Sequence, residues 1–177
     1  EATSAPRLGD HWHSIYEIYS CDTWFAKIVI ETDPDGIHTH GDGLIHIHPF
    51  NSLVTGDNAK LGKFFEAFGG FISDSAVQLD SGYVIEEGAD CHGEPTVLKV
   101  ARFDAHDRER EPQVYTRNLT DIRFLKNLEA FTIAFVPADE IPPRPRSERF
   151  TFLELVDPRA LISDAPVLEL PSTTTSG

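Results

Sequence analysis

The chain has 177 residues and carries 29 Asp and Glu against 15 Lys and Arg, a formal net charge of −14, and its length suits one domain. Hydrophobic residues make up 40% of it and include twelve Phe, enough bulk for a packed core, so disorder throughout is excluded. The negative charge, with no run of Lys and Arg to reverse it locally, argues against nucleic acid as a partner, and no stretch approaches the roughly 18 consecutive apolar residues that span a bilayer.

Residue 1 is Glu and the chain contains no Met. The expectation is an exported chain whose amino-terminal signal or membrane anchor has been removed, with a trimmed start as the alternative. Residues 1–10, with Pro6 and Gly9, read as an irregular lead-in. From His11 the pattern alternates: His11, His13, Ile15, Glu17 and Tyr19 fall on one side, and Trp12, Tyr16 and Ile18 on the other, which predicts a strand. WFAKIVIE, residues 24–31, is a second β-rich run, joined to the first by Cys21-Asp22-Thr23, and the pair predicts a hairpin. Asp33-Pro34-Asp35-Gly36 and Gly41-Asp42-Gly43 are turn signals that bracket His38 and His40, and LIHIHPF then resumes strand alternation until Pro49.

The period then changes. Gly56-Asp57-Asn58 supplies capping side chains, and Leu61, Phe64, Phe65 and Phe68 recur at helical spacing before Gly69-Gly70, predicting one short helix whose Phe stripe packs on a sheet. Further strands are expected at 71–73, 83–86, 96–103, 113–116 and 130–136. The predicted fold is therefore α+β, a single sheet-dominated domain over residues 11–140, of which a β-grasp-like sheet is one form. Pro142-Pro143-Arg144-Pro145 forbids regular structure, so residues 141–177 read as a Pro-rich linker and extended tail. Within it FTFLELV and VLELP are expected as extended strands, laid on the domain itself or on a partner by strand addition.

Cys21 and Cys91 are too few for a four-thiolate metal site and do not form Cys-x-x-Cys; one disulfide is their natural use, with two reduced buried thiols as the alternative. Such a bond would close a loop of roughly 70 residues and add about 2–4 kcal/mol in an oxidising compartment.

Six of the eight histidines lie in three His-x-His pairs, His11/His13, His38/His40 and His46/His48. Residues i and i+2 of a strand point to the same face about 6.5–7 Å apart, so each pair can aim two imidazoles at one ion with bonds near 2 Å. Three pairs within 38 residues predict a metal site of at least three of these histidines; a hydrogen-bonded network and a pH-responsive cluster are the competing readings. Imidazole suits zinc and copper, and with no Met and no free thiol in prospect a soft Cu(I) site is disfavoured, leaving zinc first and Cu(II) second. Glu17 and Asp42 are carboxylates that can ligate an ion or hold an imidazole from behind, although Asp42 also suits its turn. His92 and His106 read as surface residues.

HWHSIYEIY, GIHTHGDGLIHIHPF and KLGKFFEAFG together resemble a family of bacterial, largely actinobacterial, extracytoplasmic His-rich domains, with a weaker echo in DIRFLKNLEAFTIAFVP. The resemblance covers roughly residues 10–70. His11, His13, His38, His40 and His46 match its recurrent histidines, whereas His48 stands where relatives carry an acidic residue, and Cys21 and Cys91 resemble a cysteine pair of the closer relatives. It implies an exported protein that binds metal; it implies no reaction.

No GxSxG elbow, P-loop or Rossmann fingerprint is present, and Asn118-Leu119-Thr120 is a chance-level glycosylation tripeptide. Three functions follow as expectations. The first is a zinc or copper carrier or metal-storing accessory subunit. The second is an enzyme with three imidazoles on an ion and water in an open position. The third is an accessory subunit of a membrane-associated complex that docks through residues 146–177.

Overall fold

The structure, a computed structural model, describes residues 5–161. Its strands are β1 (Trp12–Ser20), β2 (Thr23–Trp24), β3 (Ile37–His38), β4 (Leu44–Ile47), β5 (Phe71–Ile72), β6 (Ala76–Gln78), β7 (Val84–Glu86), β8 (Asp90–Cys91), β9 (Glu94–Asp104), β10 (Gln113–Tyr115) and β11 (Glu129–Pro137); its helices are α1 (Leu61–Ala67) and α2 (Ser147–Val156). The main sheet has eight strands with the path β10-β9-β11-β1-β4-β3, while β2 pairs with β1 and β8 with β9. The strand that starts the domain, β1, lies at the centre, parallel to the late strand β11 and antiparallel to β4. This central parallel pair flanked by antiparallel neighbours is the β-grasp-like arrangement, and the fold is the expected α+β one. β5, β6 and β7 form a separate three-stranded sheet, of which β6 has no counterpart among the expected strands.

Period-two patterning buries both faces of the main sheet. Tyr16, Ile18, Ile45, Ile47, Phe131 and Ile133 join Leu61, Phe64, Phe65 and Phe68 of the α1 region in the larger core. Phe64 and Phe65 are fully buried, and each contributes about 1.5–3 kcal/mol by leaving water. The expected cap residues Gly56–Asn58 instead form a separate 3-10 turn before the helix.

The opposite face is built from Ile15, Leu44, Ala101, Phe103 and Ala130 against Phe150, Leu153 and Ala160. Here two expectations are corrected. FTFLELV is not an extended strand but the greater part of α2, because Phe150 and Leu153, three residues apart, reach the same core while Leu155 points to solvent. The folded body therefore does not stop at residue 140 but runs through α2 and Asp157. VLELP lies outside the described residues.

A buried carboxylate fixes this second helix. Glu17 of β1 accepts hydrogen bonds from Arg146 N (2.7 Å), Arg146 Nε (2.8 Å), Arg146 Nη2 (2.5 Å) and Arg149 Nε (3.0 Å). Glu17 thus serves the docking of α2 and is no ligand of the histidines.

WFAKIVIE is a third correction. Its ladder with β1 covers Thr23–Trp24 and ends where Phe25 N donates to Ile18 O (2.8 Å); beyond it Ile28 N donates to Tyr16 Oη (2.8 Å) and Val29 N to Asp80 Oδ2 (2.9 Å), so side chains take the place of a ladder. Cys21 and Cys91 form a disulfide with Cα atoms 5.5 Å apart, tying the end of β1 to β8.

Candidate metal centre

Strand register alone assembles the histidines. β1 and β4 pair His13 with His46, and β3 and β4 pair His38 with His46, so three imidazoles stand side by side across three neighbouring strands. Directly opposed residues have Cβ atoms about 4.5–5.5 Å apart. The alternation that turns Ile45 and Ile47 toward α1 turns His46 to the other face, where β1 has also placed His13; a one-residue slip would bury the imidazoles under α1.

The outer member of each pair extends this row. His48 follows β4, and His48 N donates to Gly36 O at 2.7 Å. Gly36 has φ +104°, and a Cβ there would sit 2.4 Å from His48 O, so the approach requires glycine. The ring centroids form one chain: His11 to His13 at 4.9 Å, His13 to His46 at 4.8 Å, His46 to His40 at 4.4 Å, His40 to His38 at 4.6 Å, His38 to His48 at 4.7 Å, and His48 back to His11 at 5.9 Å. All six rings occupy one patch. His13, His38 and His46 are buried, His48 is half-buried, and His11 and His40 are exposed, so each pair supplies one sheltered ring and one that solvent reaches.

Carboxylates orient the sheltered rings. His13 Nδ1 donates to Asp157 Oδ2 at 2.9 Å; an ionised carboxylate only accepts, so the proton sits on Nδ1 and Nε2 keeps its lone pair. His46 Nε2 likewise donates to Asp42 Oδ2 at 2.8 Å, leaving Nδ1 with the lone pair, while Asp42 Oδ1 accepts from Leu44 N at 3.0 Å. Asp42 therefore performs two of the three roles considered for it, closing the turn and holding an imidazole. Such carboxylate–histidine pairs recur behind metal-bound imidazoles.

Asp157 is itself braced by Arg159, whose Nε reaches Oδ1 at 2.8 Å and Nη2 reaches Oδ2 at 2.7 Å. Burial pushes its pKa up, but the hydrogen bonds from Arg159 and His13 outweigh that and hold it well below the usual carboxylate range. Burial likewise opposes ionisation of Asp42, and the His46 and Leu44 hydrogen bonds reverse the balance so that its pKa is lowered.

Three of the imidazoles, His11, His13 and His38, are driven toward the neutral form. Burial lowers the pKa of His38 most, Asp33 opposes it, and His48, His40 and His46 add to the lowering, bringing it to about 4. Burial also lowers His13, more than Asp157 raises it, and burial together with His13 and His48 lowers His11. Neutral imidazole is the ligand form.

Two groups of three ligand atoms lie within 4.8 Å of one another here: His11, His13 and His46, and Asp33, His38 and His48. In the second, Asp33 Oδ2 is 3.3 Å from both His38 Nδ1 and His48 Nε2. Bonds of about 2.0–2.1 Å at a tetrahedral ion put neighbouring ligand atoms about 3.3 Å apart, so these separations fit a shared ion. His38 Nδ1 is also buried without a hydrogen-bond partner, because its approach to Asp33 lacks hydrogen-bond alignment. An orphaned buried nitrogen is costly unless something else takes its lone pair.

Asp33 and Asp157 were not among the expected site residues. Asp33 is hidden in a turn motif whose duty it also performs, Oδ1 accepting from Gly36 N at 2.7 Å, and Asp157 lies 144 residues from His13 with no local signal. Cys21, Cys91 and His92 also cluster, but both sulfurs are spent in the disulfide. His92 is exposed and pairs with Asp22 at 2.6 Å, and His106 is exposed. No family model, curated protein or solved structure matches the chain.

Proposed function

We propose that this is an extracytoplasmic metal-binding domain whose His-x-His patch takes zinc or Cu(II) for carriage or for supply to a partner assembly. The observation that carries the reading is the carboxylate-braced row of imidazoles: His13 and His46 each have one ring nitrogen held by Asp157 and Asp42, and the other nitrogen of each belongs to a patch of six rings. Donor chemistry supports the choice of ion, since imidazole and carboxylate are present, Met is absent and both thiols are oxidised. The disulfide supports an oxidising compartment, as does the resemblance to exported His-rich domains. Among the described residues no helix is long and apolar enough to cross a membrane.

Metal analysis of purified protein tests the reading. Zinc or copper should copurify or rebind after chelation and raise the melting temperature, and His46→Ala should sharply reduce both effects. Negligible metal before and after loading, with His46→Ala without effect, contradicts it.

A catalytic reading draws on each ligand group having three protein donors and a solvent-reachable ring, which leaves room for a bound water. Carriage needs no more than the braced ligands already described and is preferred on that ground. Hydrolytic or redox turnover that depends on added metal and disappears in His46→Ala would reverse that preference.

A further inference from the structure

The two ligand groups share no residue. His11, His13 and His46 form a set of three imidazoles, whereas Asp33, His38 and His48 join two imidazoles to a carboxylate. The sets meet edge to edge, His11 lying 5.9 Å from His48 and His46 5.6 Å from His38 between ring centroids, and His40 touches both, 4.4 Å from His46 and 4.6 Å from His38. Building on the metal-binding reading above, we propose that the patch holds two divalent ions at once, one in each set, in adjoining centres of different donor chemistry.

Geometry and charge support two ions rather than one. No single tetrahedral ion accommodates six ligands, and each set already supplies the three protein donors of an open site. Each also has its own support. The all-imidazole set is braced from behind by Asp157 and Asp42, while the mixed set uses Asp33 directly, through an oxygen equidistant from two nitrogens at 3.3 Å. Two divalent ions bring four positive charges together, and Asp33, Asp42 and Asp157 set three negative ones against them within a chain of formal charge −14.

Zinc alone is the probe, and the chain is used whole. Native mass spectrometry after loading should give two zinc ions per chain. His11→Ala removes an exposed ring of the first set and should leave one; His48→Ala removes a half-buried ring of the second and should also leave one, and the double variant should hold none. Asp33→Asn keeps an oxygen to receive Gly36 N but replaces the ligating Oδ2 with an amide NH2 that offers an ion no lone pair, so it should match His48→Ala. One zinc in the unaltered protein, or loss of both ions in a single variant, overturns the two-centre proposal while leaving metal binding intact. Two ions retained in the double variant place them elsewhere and overturn it as well. No zinc in the unaltered protein also overturns the proposal, and failure to bind Cu(II) as well removes the metal-binding reading itself.

Discussion

Asp157 shows how a single carboxylate decides the state of a ring. Ionised, buried and gripped by Arg159, it fixes the tautomer of His13 and so the nitrogen offered to an ion. Asp157→Asn should leave the fold intact by circular dichroism and weaken zinc binding about 10–100-fold, measured by competition with a chelating dye; unchanged affinity would mean that the brace does not orient a ligand. His38 gives a pH prediction. Its folded pKa of about 4 lies below the unfolded value of about 6.5, so on acidification the unfolded chain takes up this proton first. The associated stability is whole above about 6.5, declines as pH falls and is gone below about 4, and the lowered His11 and His13 act in the same direction. Metal-free protein should therefore lose melting temperature across that window, and bound metal, which needs neutral imidazole, should leave as pH falls through about 6 to 5. A melting temperature flat from pH 7 to 4, with metal retained, contradicts both.

Among the elements, α2 is the one the sequence disguises. The alternation of Phe150 and Phe152 satisfies a strand period, while Phe150 and Leu153 satisfy a helical one; what decides is the distant core of Ile15, Leu44 and Ala130, to which a helix can present both. The reverse happened at Lys27–Glu31, where strand-forming residues lack a neighbour to pair with and hydrogen-bond to Tyr16 and Asp80 instead. β1 and α1 were legible because each carries one period over its whole length. The histidine rows were legible as pairs, but their meeting depends on a register that long-range pairing sets. The Glu17 contacts make α2 testable: Arg146→Ala with Arg149→Ala leaves a buried carboxylate without cations and should cost about 3–5 kcal/mol in urea unfolding. Adding Glu17→Gln should recover part of that loss; a double variant as stable as the parent would mean that α2 is held by its apolar contacts alone. Truncation after residue 146 should likewise destabilise the domain, since it removes Phe150 and Leu153 from the core.

Across the whole molecule, the disulfide and the acidic charge set the conditions in which the patch works. Cys21–Cys91 closes a loop of 70 residues and joins the sheet's central strand to the β8–β9 hairpin. Its reduction should cost about 2–5 kcal/mol, read as a lowered urea midpoint in reductant, and an unchanged midpoint would remove the argument for an oxidising compartment. The chain's negative charge favours the approach of cations over a Debye length of about 8–10 Å, so zinc association should slow as salt is raised. The most direct test of the central claim is anomalous diffraction at the zinc edge from crystals of zinc-loaded protein. A peak bonded to His13 Nε2, His46 Nδ1 and a His11 ring nitrogen at about 2.0–2.1 Å is expected. Anomalous signal confined to surface groups such as His92 or His106, with none among the six clustered imidazoles, would contradict it.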